Sequence, residues 1–480
     1  MQHRQFISRI NHTFKLGLLS ILLILLGLSS QSGFTKNNQP NLLFITIDTL
    51  RADHISSYGY QNINTKNINA LATGGLLFTN FYSHSPWTRP SFATFFTSLY
   101  PSQHGAEMNN LTSVNRKLDN ENLTLAEILR DNGYVTAAFQ GNANAAEKYG
   151  FDQGFDLFAK SSLHHGDGLP YPPAKRMYQG FKSWLANNKH RKFFVWINYM
   201  DPHMPYAPPK KYYQDLWDPN YKGQVTNPFR NYKIGRSGPL LTKKDKEQIH
   251  RLYEAEIRHI DDYIGKTIAL LNQTKTADNT LIILSSDHGE EFWEHGGASN
   301  QELEDFNWGF GHGHTLYDEQ IHLPLIIRYP KEFGTPGEIS KIDQQVRQVD
   351  FLPTILDILK IHSKNETVFE GQSLLPLIKG EKYQTHEVYS ESILYGKEKK
   401  AIRTKKYKLI YHIETEDIEL YDLQKDFGET ENIAKAHPKI VKSLKDRLLR
   451  WMERVKPVTN RENLNQNDSQ LKELLDKLGY

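Results

Sequence analysis

The sequence of 480 residues contains no cysteine. This absence excludes disulfides, thiolate metal sites and catalytic thiols. It also excludes any cofactor that is made from a cysteine side chain. A chain of this length must therefore rely on its hydrophobic core for stability.

The sequence also lacks an excess of charge of one sign. It has 58 Lys and Arg against 55 Asp and Glu, a formal net charge of +3. Four of the basic residues lie in the first 36 positions, which contain no Asp or Glu, so the remaining chain is close to neutral. Because this balance provides no basic surface for phosphate backbones, we expect no nucleic-acid partner.

The first 36 residues have the layout of a secretory leader. Basic residues precede the apolar run Leu16–Leu28, and the small, polar stretch SSQSG follows it. A membrane-spanning helix needs about 20 apolar residues, and this run is shorter. We expect a cleaved signal peptide, with an uncleaved N-terminal anchor as the alternative. The protein is then exported to the periplasm or the extracellular space, with membrane contact only if the leader is retained.

Short apolar runs alternate with helical patterns through most of the chain. The runs in NLLFITID, YVTAAFQGN, FFVWINYMDPH and NTLIILSSDHG are nearly continuous, as in strands that are buried on both faces of a sheet. Segments such as AKRMYQGFKSWLANN, with apolar residues at helical spacing, lie between them. The sequence therefore predicts an α/β sandwich with a mostly parallel mixed sheet between helices.

The pattern changes near residue 380. Alternating residues in AIRTKKYKLIYHI and IELYDLQKDFGETENIA predict a small antiparallel sheet, and HPKIVKSLKDRLLRWMERV predicts an amphipathic helix. We therefore divide the chain into a signal peptide or anchor at 1–36, a catalytic domain at 37–380 and a C-terminal α+β subdomain at 381–480.

Three of the predicted strands end in acidic residues, and two of these ends also carry a histidine. FITID ends at Asp48, WINYMDPH at Asp201 and His203, and LSSDHG at Asp287 and His288. Ligands of open α/β sheets bind outside the carboxyl ends of the strands. Carboxylate oxygens and neutral imidazole suit a hard or borderline divalent cation. We predict that Asp48, Asp287 and His288 bind Ca²⁺, Mg²⁺, Mn²⁺ or Zn²⁺.

The stretch SPWTRPSFATFF places a hydroxyl, a guanidinium and a proline at the start of a predicted helix. A helix start offers free N–H groups and a positive dipole end, which favour anions. A threonine hydroxyl is a weak nucleophile unless it is activated, and a bound divalent cation lowers the pKa of an oxygen that it coordinates. We predict that Thr88 is both a metal ligand and the nucleophile, and that Arg89 holds the anionic substrate.

Five of the chain's 20 histidines lie between positions 288 and 322. The glycine spacing in GHGHT, which contains His312 and His314, indicates that the backbone approaches another group closely. These histidines could protonate a leaving group, bind the substrate anion or hold a second metal ion. We expect His312 to contribute more than His314.

Five motifs occur in the order seen in sulfatase-like enzymes of the alkaline phosphatase superfamily: NLLFITIDTLRADHISSYGY, TRPSFATFFTSLYPSQHG, YMDPHMPYAPP, SSDHGEEFWEHG and GHGHTLYDEQIHLPLII. The resemblance covers about residues 40–450, and it implies a divalent ion held by acids at strand ends. It also implies that Thr88 is the nucleophile and that His203 binds the substrate, with Asp201 beside it. Asn142 is expected near the substrate anion, and His312 or His314 near the leaving group.

The sequence departs from the sulfatase pattern at the nucleophile. Sulfatases carry Cys or Ser there, within Cys/Ser–x–Pro–x–Arg, and mature it to formylglycine. Here Thr88 and Phe92 stand at the first and last of these positions, so no formylglycine is expected. Thr together with Asp–His resembles phosphodiesterase, phosphatase and phosphoethanolamine-transferase relatives instead.

We therefore expect a metal-dependent hydrolase that cleaves phosphate or sulfate esters through a covalent ester on Thr88. The substrate is a small-molecule, glycan or lipid-linked ester. One alternative is a membrane-anchored transferase of phosphoryl groups, of the phosphoethanolamine type. The other is a noncatalytic binding protein with this fold.

Overall fold

The computed structural model describes residues 39–112, 114–159, 171–229, 241–295, 309–330, 340–363 and 369–455. The leader predicted at 1–36 and the tail after Pro457 lie outside these ranges. No helix within the described ranges is long and apolar enough to cross a membrane. The chain from Pro40 onward forms one compact unit, and the description below concerns that unit.

Seventeen strands are present in the described residues. They are β1 (Asn41–Ile47), β2 (Leu76–Tyr82), β3 (Met108–Asn109), β4 (Val114–Asn115), β5 (Val135–Phe139), β6 (Leu157–Ala159), β7 (Phe193–Tyr199), β8 (Thr280–Ser285), β9 (Glu291–Phe292), β10 (Phe310–Gly311), β11 (His322–Arg328), β12 (Ser340–Ile342), β13 (Val346–Arg347), β14 (Val388–Ser390), β15 (Lys399–Arg403), β16 (Tyr407–His412) and β17 (Ile418–Asp422).

The α-helices of the described residues range from a single turn to 31 residues. They are α1 (Lys66–Thr73), α2 (Thr88–Thr97), α3 (Pro101–His104), α4 (Leu125–Asp131), α5 (Ala174–Asn188), α6 (Lys210–Tyr213), α7 (Lys243–Gln273), α8 (Asp318–Ile321), α9 (Phe351–Leu359), α10 (Leu375–Ile378) and α11 (Pro438–Arg454).

The main sheet has nine strands in the order β12-β2-β11-β8-β1-β7-β5-β6, with β13 also paired to β2. Strands β8, β1, β7, β5 and β6 are parallel to one another, and β11 is antiparallel to both β8 and β2. The prediction of a mostly parallel mixed sheet is therefore confirmed. Strand β2 was not among the predicted strands, although its sequence LLFTNFY is apolar and rich in aromatics.

The central strand β1 is buried on both faces, which explains its nearly continuous apolar sequence. Leu43, Ile45 and Ile47 belong to one core cluster together with apolar residues of α5 and α7. Leu42 and Phe44 belong to the opposite cluster together with apolar residues of α2 and α9. Because side chains alternate along a strand, one short segment supports helices on both sides of the sheet.

Helix α2 is buried along its whole length, which is unusual for ten residues that include Thr, Ser and Arg. Its aromatic side chains pack beside the sheet, where the ring centroid of Phe95 lies 5.3 Å from that of Phe44. Its polar side chains are held by hydrogen bonds, as in Thr97 Oγ1 to the Ala93 carbonyl at 2.7 Å. The helix that begins with Thr88 is thus fixed on every side.

The C-terminal region forms the predicted antiparallel sheet, in the order β14-β15-β16-β17, with α11 packed against β15 and β16. Four charged side chains are buried between this sheet and α8, and we call them the hairpin network. They are Asp318, Arg403, Lys408 and Glu429. Arg403 Nη2 lies 2.9 Å from Asp318 Oδ2, and Lys408 Nζ lies 3.0 Å from Asp318 Oδ1 and 2.8 Å from Glu429 Oε1.

Candidate functional site

The carboxyl ends of four adjacent parallel strands meet at one edge of the main sheet. These strands lie in the order β8, β1, β7, β5. The residues that follow them carry the polar side chains predicted from sequence: Asp287 and His288 after β8, Asp48 after β1, Asp201 and His203 after β7, and Asn142 after β5. Sheet topology thus brings together groups that are far apart in the sequence.

Asp48, Asp287 and His288 form a compact group that is fully buried. His288 Nε2 lies 3.3 Å from Asp287 Oδ2 and 3.8 Å from Asp48 Oδ1. Among the described residues, neither of these two carboxylate oxygens accepts a hydrogen bond. Two buried oxygens that face one imidazole nitrogen without a donor are the arrangement that a divalent cation would satisfy.

The tautomer of His288 also suits a cation. Its Nδ1 lies 2.9 Å from the Gly289 carbonyl, so Nδ1 carries the proton and Nε2 keeps a lone pair. Gly289 is required here because a Cβ atom at this position would collide with the Glu319 carbonyl. The hydrogen bond to the Gly289 carbonyl thus fixes the orientation of the His288 ring, which faces Asp48 and Asp287.

Thr88 is the first residue of α2, and its hydroxyl lies against this group. Thr88 Oγ1 is 3.2 Å from His288 Nε2 and accepts a hydrogen bond from Asn142 Nδ2 at 3.1 Å. Asn142 Nδ2 also donates to Asp48 Oδ2 at 2.8 Å. We call the five side chains of Asp48, Thr88, Asn142, Asp287 and His288 the catalytic edge.

Burial controls the electrostatics of the catalytic edge. Burial raises the pKa of Asp48 to about 6, and repulsion by Asp287 adds to the effect. Burial likewise raises the pKa of Asp287 to about 7 and lowers the pKa of His288. Each shift disfavours the charged form of a buried group, and a bound cation would favour charged carboxylates beside a neutral imidazole.

The backbone at Thr49 is strained. Its φ is +59°, in the left-handed region that β-branched residues avoid. This conformation lets the Thr49 N–H approach Asp287 Oδ1 at 3.4 Å, while its carbonyl accepts a hydrogen bond from Tyr253 Oη at 2.8 Å. Strain of this kind persists only where the surrounding structure enforces it, and it is frequent at functional sites.

The segment before Thr88 is held by the C-terminal region. Trp87 Nε1 and Ser85 Oγ both donate to the Ser392 carbonyl, at 2.7 and 3.0 Å. Ser390 Oγ donates to the Ser83 carbonyl at 2.8 Å. The loop that leads into α2 is thus anchored by residues about three hundred positions later in the chain.

His203 and His312 lie beside His288. The ring centroids of His288 and His312 are 4.3 Å apart, and those of His203 and His312 are 5.1 Å apart. His312 Nδ1 lies 3.0 Å from Glu290 Oε1, and His203 Nδ1 lies 2.6 Å from the Met204 carbonyl. Burial lowers the pKa of His203. Three imidazoles therefore line the same end of the sheet.

His314 contacts a different part of the site. Gly313 has a φ of +82° and turns the chain between the two histidines. His314 Nε2 pairs with Glu291 Oε2 at 2.8 Å, and its carbonyl accepts a hydrogen bond from Lys399 Nζ at 3.3 Å. The structure thus brings His312 against His288, and it brings His314 against Glu291.

Arg89 makes contacts that were not predicted. Its guanidinium donates to Asn115 Oδ1 at 2.8 Å, to Asn144 Oδ1 at 2.9 Å and to the Arg116 carbonyl at 3.0 Å. It also lies 3.5 Å from the ring centroid of Tyr149. These contacts favour a role in holding the loops around α2, and the role in substrate binding stays a prediction.

Asp201 contacts His259 and Ala174, which lie outside the catalytic edge. Its Oδ1 lies 3.3 Å from His259 Nδ1 on α7 and accepts a hydrogen bond from the Ala174 N–H at 3.3 Å. The predicted role of Asp201 in substrate binding therefore has no supporting contact among the described residues.

Sequence reasoning missed two polar neighbours of the site. Asn198 lies on β7 and donates to Asp48 Oδ2 at 3.3 Å, while its own Oδ1 accepts a hydrogen bond from Thr46 Oγ1 at 2.7 Å. Glu290 holds Nδ1 of His312. A polar residue within the apolar run FFVWINY was the available signal for Asn198, and the acidic pair after DHG was the signal for Glu290.

Two family models match this chain. The model of the family described as Sulfatase matches residues 40–361. A second model, for the C-terminal part of N-sulphoglucosamine sulphohydrolase, matches residues 307–455. Together the two models span both the main sheet and the C-terminal sheet.

Individual relatives have low sequence identity to this chain but match most of its length. A Delta 4,5-hexuronate-2-O-sulfatase of Bacteroides thetaiotaomicron is 24% identical over 447 residues, covering 85% of this chain and 86% of the relative. A solved structure in complex with its substrate D-glucosamine-2-N,6-O-disulfate matches with a TM-score of 0.71 and 22% identity, over 90% of this chain and 99% of the other. A phosphonate monoester hydrolase of Agrobacterium radiobacter matches with a TM-score of 0.68 and 21% identity, over 88% of this chain and 100% of the other.

The Sulfatase model covers more than half of the chain, and the solved structures that match share its α/β fold. The resemblance drawn from the motifs is therefore confirmed at the level of the family and the fold. The chain belongs to the Sulfatase family and is a sulfatase-like ester hydrolase.

Proposed function

We propose that this protein hydrolyses sulfate or phosphate esters with Thr88 as its nucleophile and with a divalent cation held by Asp48, Asp287 and His288. One observation carries the proposal. Thr88 Oγ1 lies 3.2 Å from His288 Nε2, and that nitrogen faces two buried carboxylate oxygens, of Asp48 and Asp287, that have no donor among the described residues.

The donor set matches a divalent cation in charge and in chemistry. Two carboxylates and a neutral imidazole offset the charge of Ca²⁺, Mg²⁺, Mn²⁺ or Zn²⁺. A cation bound there supplies positive charge that lowers the pKa of a neighbouring hydroxyl and balances charge on the oxygens of the ester.

The first half of the reaction is an attack by Thr88 on sulfur or phosphorus. The hydroxyl gives its proton to solvent, and Asn142 Nδ2, which already donates to Oγ1 at 3.1 Å, stabilises the alkoxide. The new bond joins Oγ1 to the sulfur or phosphorus atom, and the bond to the alcohol oxygen breaks. Helix α2, buried throughout, holds the attacking oxygen in place.

His312 is suited to assist the leaving alcohol. Glu290 stabilises positive charge on the His312 ring through Nδ1, so Nε2 can donate a proton to the departing oxygen. In the second half of the reaction the same nitrogen accepts a proton from the water that attacks the covalent ester on Thr88. The bond between Oγ1 and sulfur or phosphorus then breaks, and Oγ1 takes up a proton to restore the hydroxyl. The products are the alcohol and inorganic sulfate or phosphate, and His203 contributes a further imidazole that can bind the anion.

The relatives suggest where to look for the substrate. The Bacteroides relative is named for a hexuronate sulfate ester, and the structural neighbours include a complex with a disulfated glucosamine and a phosphonate monoester hydrolase. We propose a glycan or other small-molecule ester as the substrate. Thr88 in place of the formylglycine precursor favours testing phosphate and phosphonate esters beside sulfate esters.

A side-by-side assay tests the proposal. The purified protein is given a sulfate ester, a phosphomonoester, a phosphodiester and a phosphonate ester with the same chromogenic alcohol, with and without a chelator. We expect turnover of at least one ester, loss of that turnover with chelator, and recovery when a divalent cation is added in excess. Turnover that persists after the metal content has fallen below one ion per ten chains would contradict the metal requirement.

We further propose that residues 1–36 direct export, that 37–380 form the catalytic domain and that 381–480 form the C-terminal subdomain. The charge and apolar pattern of the leader supports the first of these. Mapping the mature N-terminus separates the alternatives. Cleavage after SSQSG indicates an exported hydrolase, whereas an intact leader favours an anchored transferase, which would also need an acceptor alcohol for efficient turnover.

A further inference from the structure

A second group of metal-type ligands lies outside the catalytic edge. It consists of Asp201, Glu256 and His259, each of which offers a ligand atom within 4.8 Å of the others. Glu256 and His259 are three residues apart on α7 and therefore lie on the same face of that helix. Asp201 lies in the loop after β7, two residues before His203.

Two atoms of this group, His259 Nδ1 and Asp201 Oδ2, have no hydrogen-bond partner among the described residues. His259 Nδ1 lies 3.3 Å from Asp201 Oδ1 and 3.5 Å from Glu256 Oε2, yet neither contact has the geometry of a hydrogen bond. Asp201 Oδ2 also has no hydrogen-bond partner among the described residues, although Asp201 is only 4% exposed. An unpartnered carboxylate oxygen at this depth is costly unless a cation or a donor reaches it.

One oxygen of each carboxylate in the group is fixed by a backbone donor. Glu256 Oε1 accepts a hydrogen bond from the Ala207 N–H at 2.7 Å, and Asp201 Oδ1 accepts one from the Ala174 N–H at 3.3 Å. The side chain of His259 remains 12% exposed, so the group has an edge through which an ion could enter. The ligands are thus oriented in advance and can be reached from solvent.

A third group with similar residue types provides a contrast. In the group of Glu291, His295 and Glu319, His295 Nδ1 pairs with Glu319 Oε1 at 2.7 Å, and Glu291 Oε2 pairs with His314 Nε2 at 2.8 Å. Glu291 Oε1 accepts a hydrogen bond from the His295 N–H at 3.2 Å. Polar atoms of all three residues in that group have hydrogen-bond partners within the protein, whereas His259 Nδ1 and Asp201 Oδ2 have none among the described residues.

We infer that Asp201, Glu256 and His259 form a second divalent-cation site, which ties α7 to the loop that carries His203. Two carboxylates and one imidazole balance the charge of a divalent ion, and the mixture of oxygen and nitrogen ligands suits Zn²⁺ or Mn²⁺. The role of this site is structural, since it joins a helix to the loop after β7. The competing arrangement is an imidazolium at His259 that is held between the two carboxylates without metal.

Metal stoichiometry tests the inference. Wild-type protein, Glu256→Gln, His259→Ala and Asp287→Asn are saturated with ZnCl₂ or MnCl₂, dialysed, and analysed by mass spectrometry for metal ions per chain. We expect two ions in wild type and one in each variant. Asp262→Asn, a change on the same helix at a carboxylate that pairs with Lys211 and Tyr212, is the control and should retain two.

The outcomes separate this inference from the proposed function. One ion in wild type that Asp287→Asn loses and His259→Ala keeps would overturn the second site and support the first. If wild type binds one ion that His259→Ala loses and Asp287→Asn keeps, the second site is supported and the metal site of the proposed function is overturned.

A thermal measurement distinguishes loss of the metal site from misfolding of the variants. In the Asp287→Asn background, added Zn²⁺ or Mn²⁺ should raise Tm by several degrees. The double variant Asp287→Asn/His259→Ala should show no rise, while its circular dichroism stays native. An equal rise in both variants would overturn the inference.

Discussion

Two of the regions that bury charge in this molecule, the hairpin network and the catalytic edge, balance that charge differently. In the hairpin network, Arg403 and Lys408 lie within 3.0 Å of the Asp318 carboxylate. Burial there raises the pKa of Asp318, but the two cations outweigh it and hold the pKa well below its usual range. At the catalytic edge, burial raises the pKa of Asp48 and of Asp287, and no Lys or Arg of the described residues lies at ion-pair distance to offset it.

The difference suggests that the presence or absence of a cationic partner indicates the role of a buried carboxylate. In the hairpin network, Asp318 is supplied with Arg403 and Lys408, so its charge is balanced within the chain. A carboxylate that binds an external cation must remain incomplete, and the protein accepts the resulting loss of stability. Removing a charge should therefore have opposite consequences in the two regions.

The largest effect is expected from the nucleophile. Thr88→Ala removes the attacking oxygen and should lower kcat by a factor on the order of 10³–10⁶, with native circular dichroism. Thr88→Ser keeps a hydroxyl at the start of α2 and should retain measurable turnover. Steady-state kinetics on the best ester of the panel provide the measurement. Activity of Thr88→Ala within tenfold of wild type would remove this residue from the mechanism.

Substitution in the hairpin network should change the stability of the folded protein. Lys408→Met leaves Asp318 with one cation and Glu429 with none, and we expect a loss of about 3–5 kcal/mol in the free energy of unfolding. Urea denaturation measures it, with Lys442→Met, a change at an exposed i,i+4 pair on α11, as the control. We expect the control to change stability by at most about 0.5 kcal/mol. Equal stability of the two variants would show that the network contributes little.

Asn198 should affect cation binding at the catalytic edge. It donates to Asp48 Oδ2, so that Oδ1 of the same carboxylate stays turned toward His288. Asn198→Ala should weaken cation affinity roughly 10- to 100-fold, as is typical when a group that orients a ligand is removed. Calorimetric titration of metal-free protein measures the affinity. Asn187→Ala, on the exposed face of α5, is the control, and equal affinities would contradict this role for Asn198.

The smallest expected effect has the opposite sign to the loss at the hairpin network. In metal-free protein at pH 8, Asp287→Asn removes an unpaired buried charge and should stabilise the fold by about 1 kcal/mol or more. The folded-state pKa of Asp287 is raised to about 7, so its contribution to stability is present below the usual carboxyl pKa and is lost as the pH rises through about 7. The advantage of the variant should therefore appear between pH 4 and pH 8.

Thermal unfolding of metal-free samples across this pH range measures the effect. Asp318→Asn is the matched variant in the hairpin network, and it should destabilise the protein at pH 8. Destabilisation by both substitutions would show that the two regions do not differ as described.

Sequence reasoning predicted the elements that place the site more reliably than the contacts within it. Apolar runs such as NLLFITID identified β1, β5, β7 and β8, because strands buried on both faces have a distinctive composition. Their carboxyl ends then had to meet, so Asp48, Asp287 and His288 could be grouped without a structure. Helix α2 was predicted from the threonine and proline at its start.

Other features depend on side-chain direction, which periodicity does not specify. His312 and His314 are separated by one glycine, and only the φ of Gly313 determines which of them meets His288. Arg89 is next to Thr88 in the chain, but its guanidinium turns to Asn115 and Asn144. Neighbouring positions on a helix point about 100° apart, so adjacency in sequence was a poor guide to adjacency in the site.

The bonds from Ser83, Ser85 and Trp87 to the segment 390–392 have a consequence for biosynthesis. A ribosome delivers the chain from its N-terminus, so the loop that leads into the nucleophile helix emerges long before the residues that anchor it. The catalytic centre is then completed only when nearly the whole polypeptide has been made. A product truncated before residue 390 would carry every proposed reacting group and would still lack the anchor of this loop.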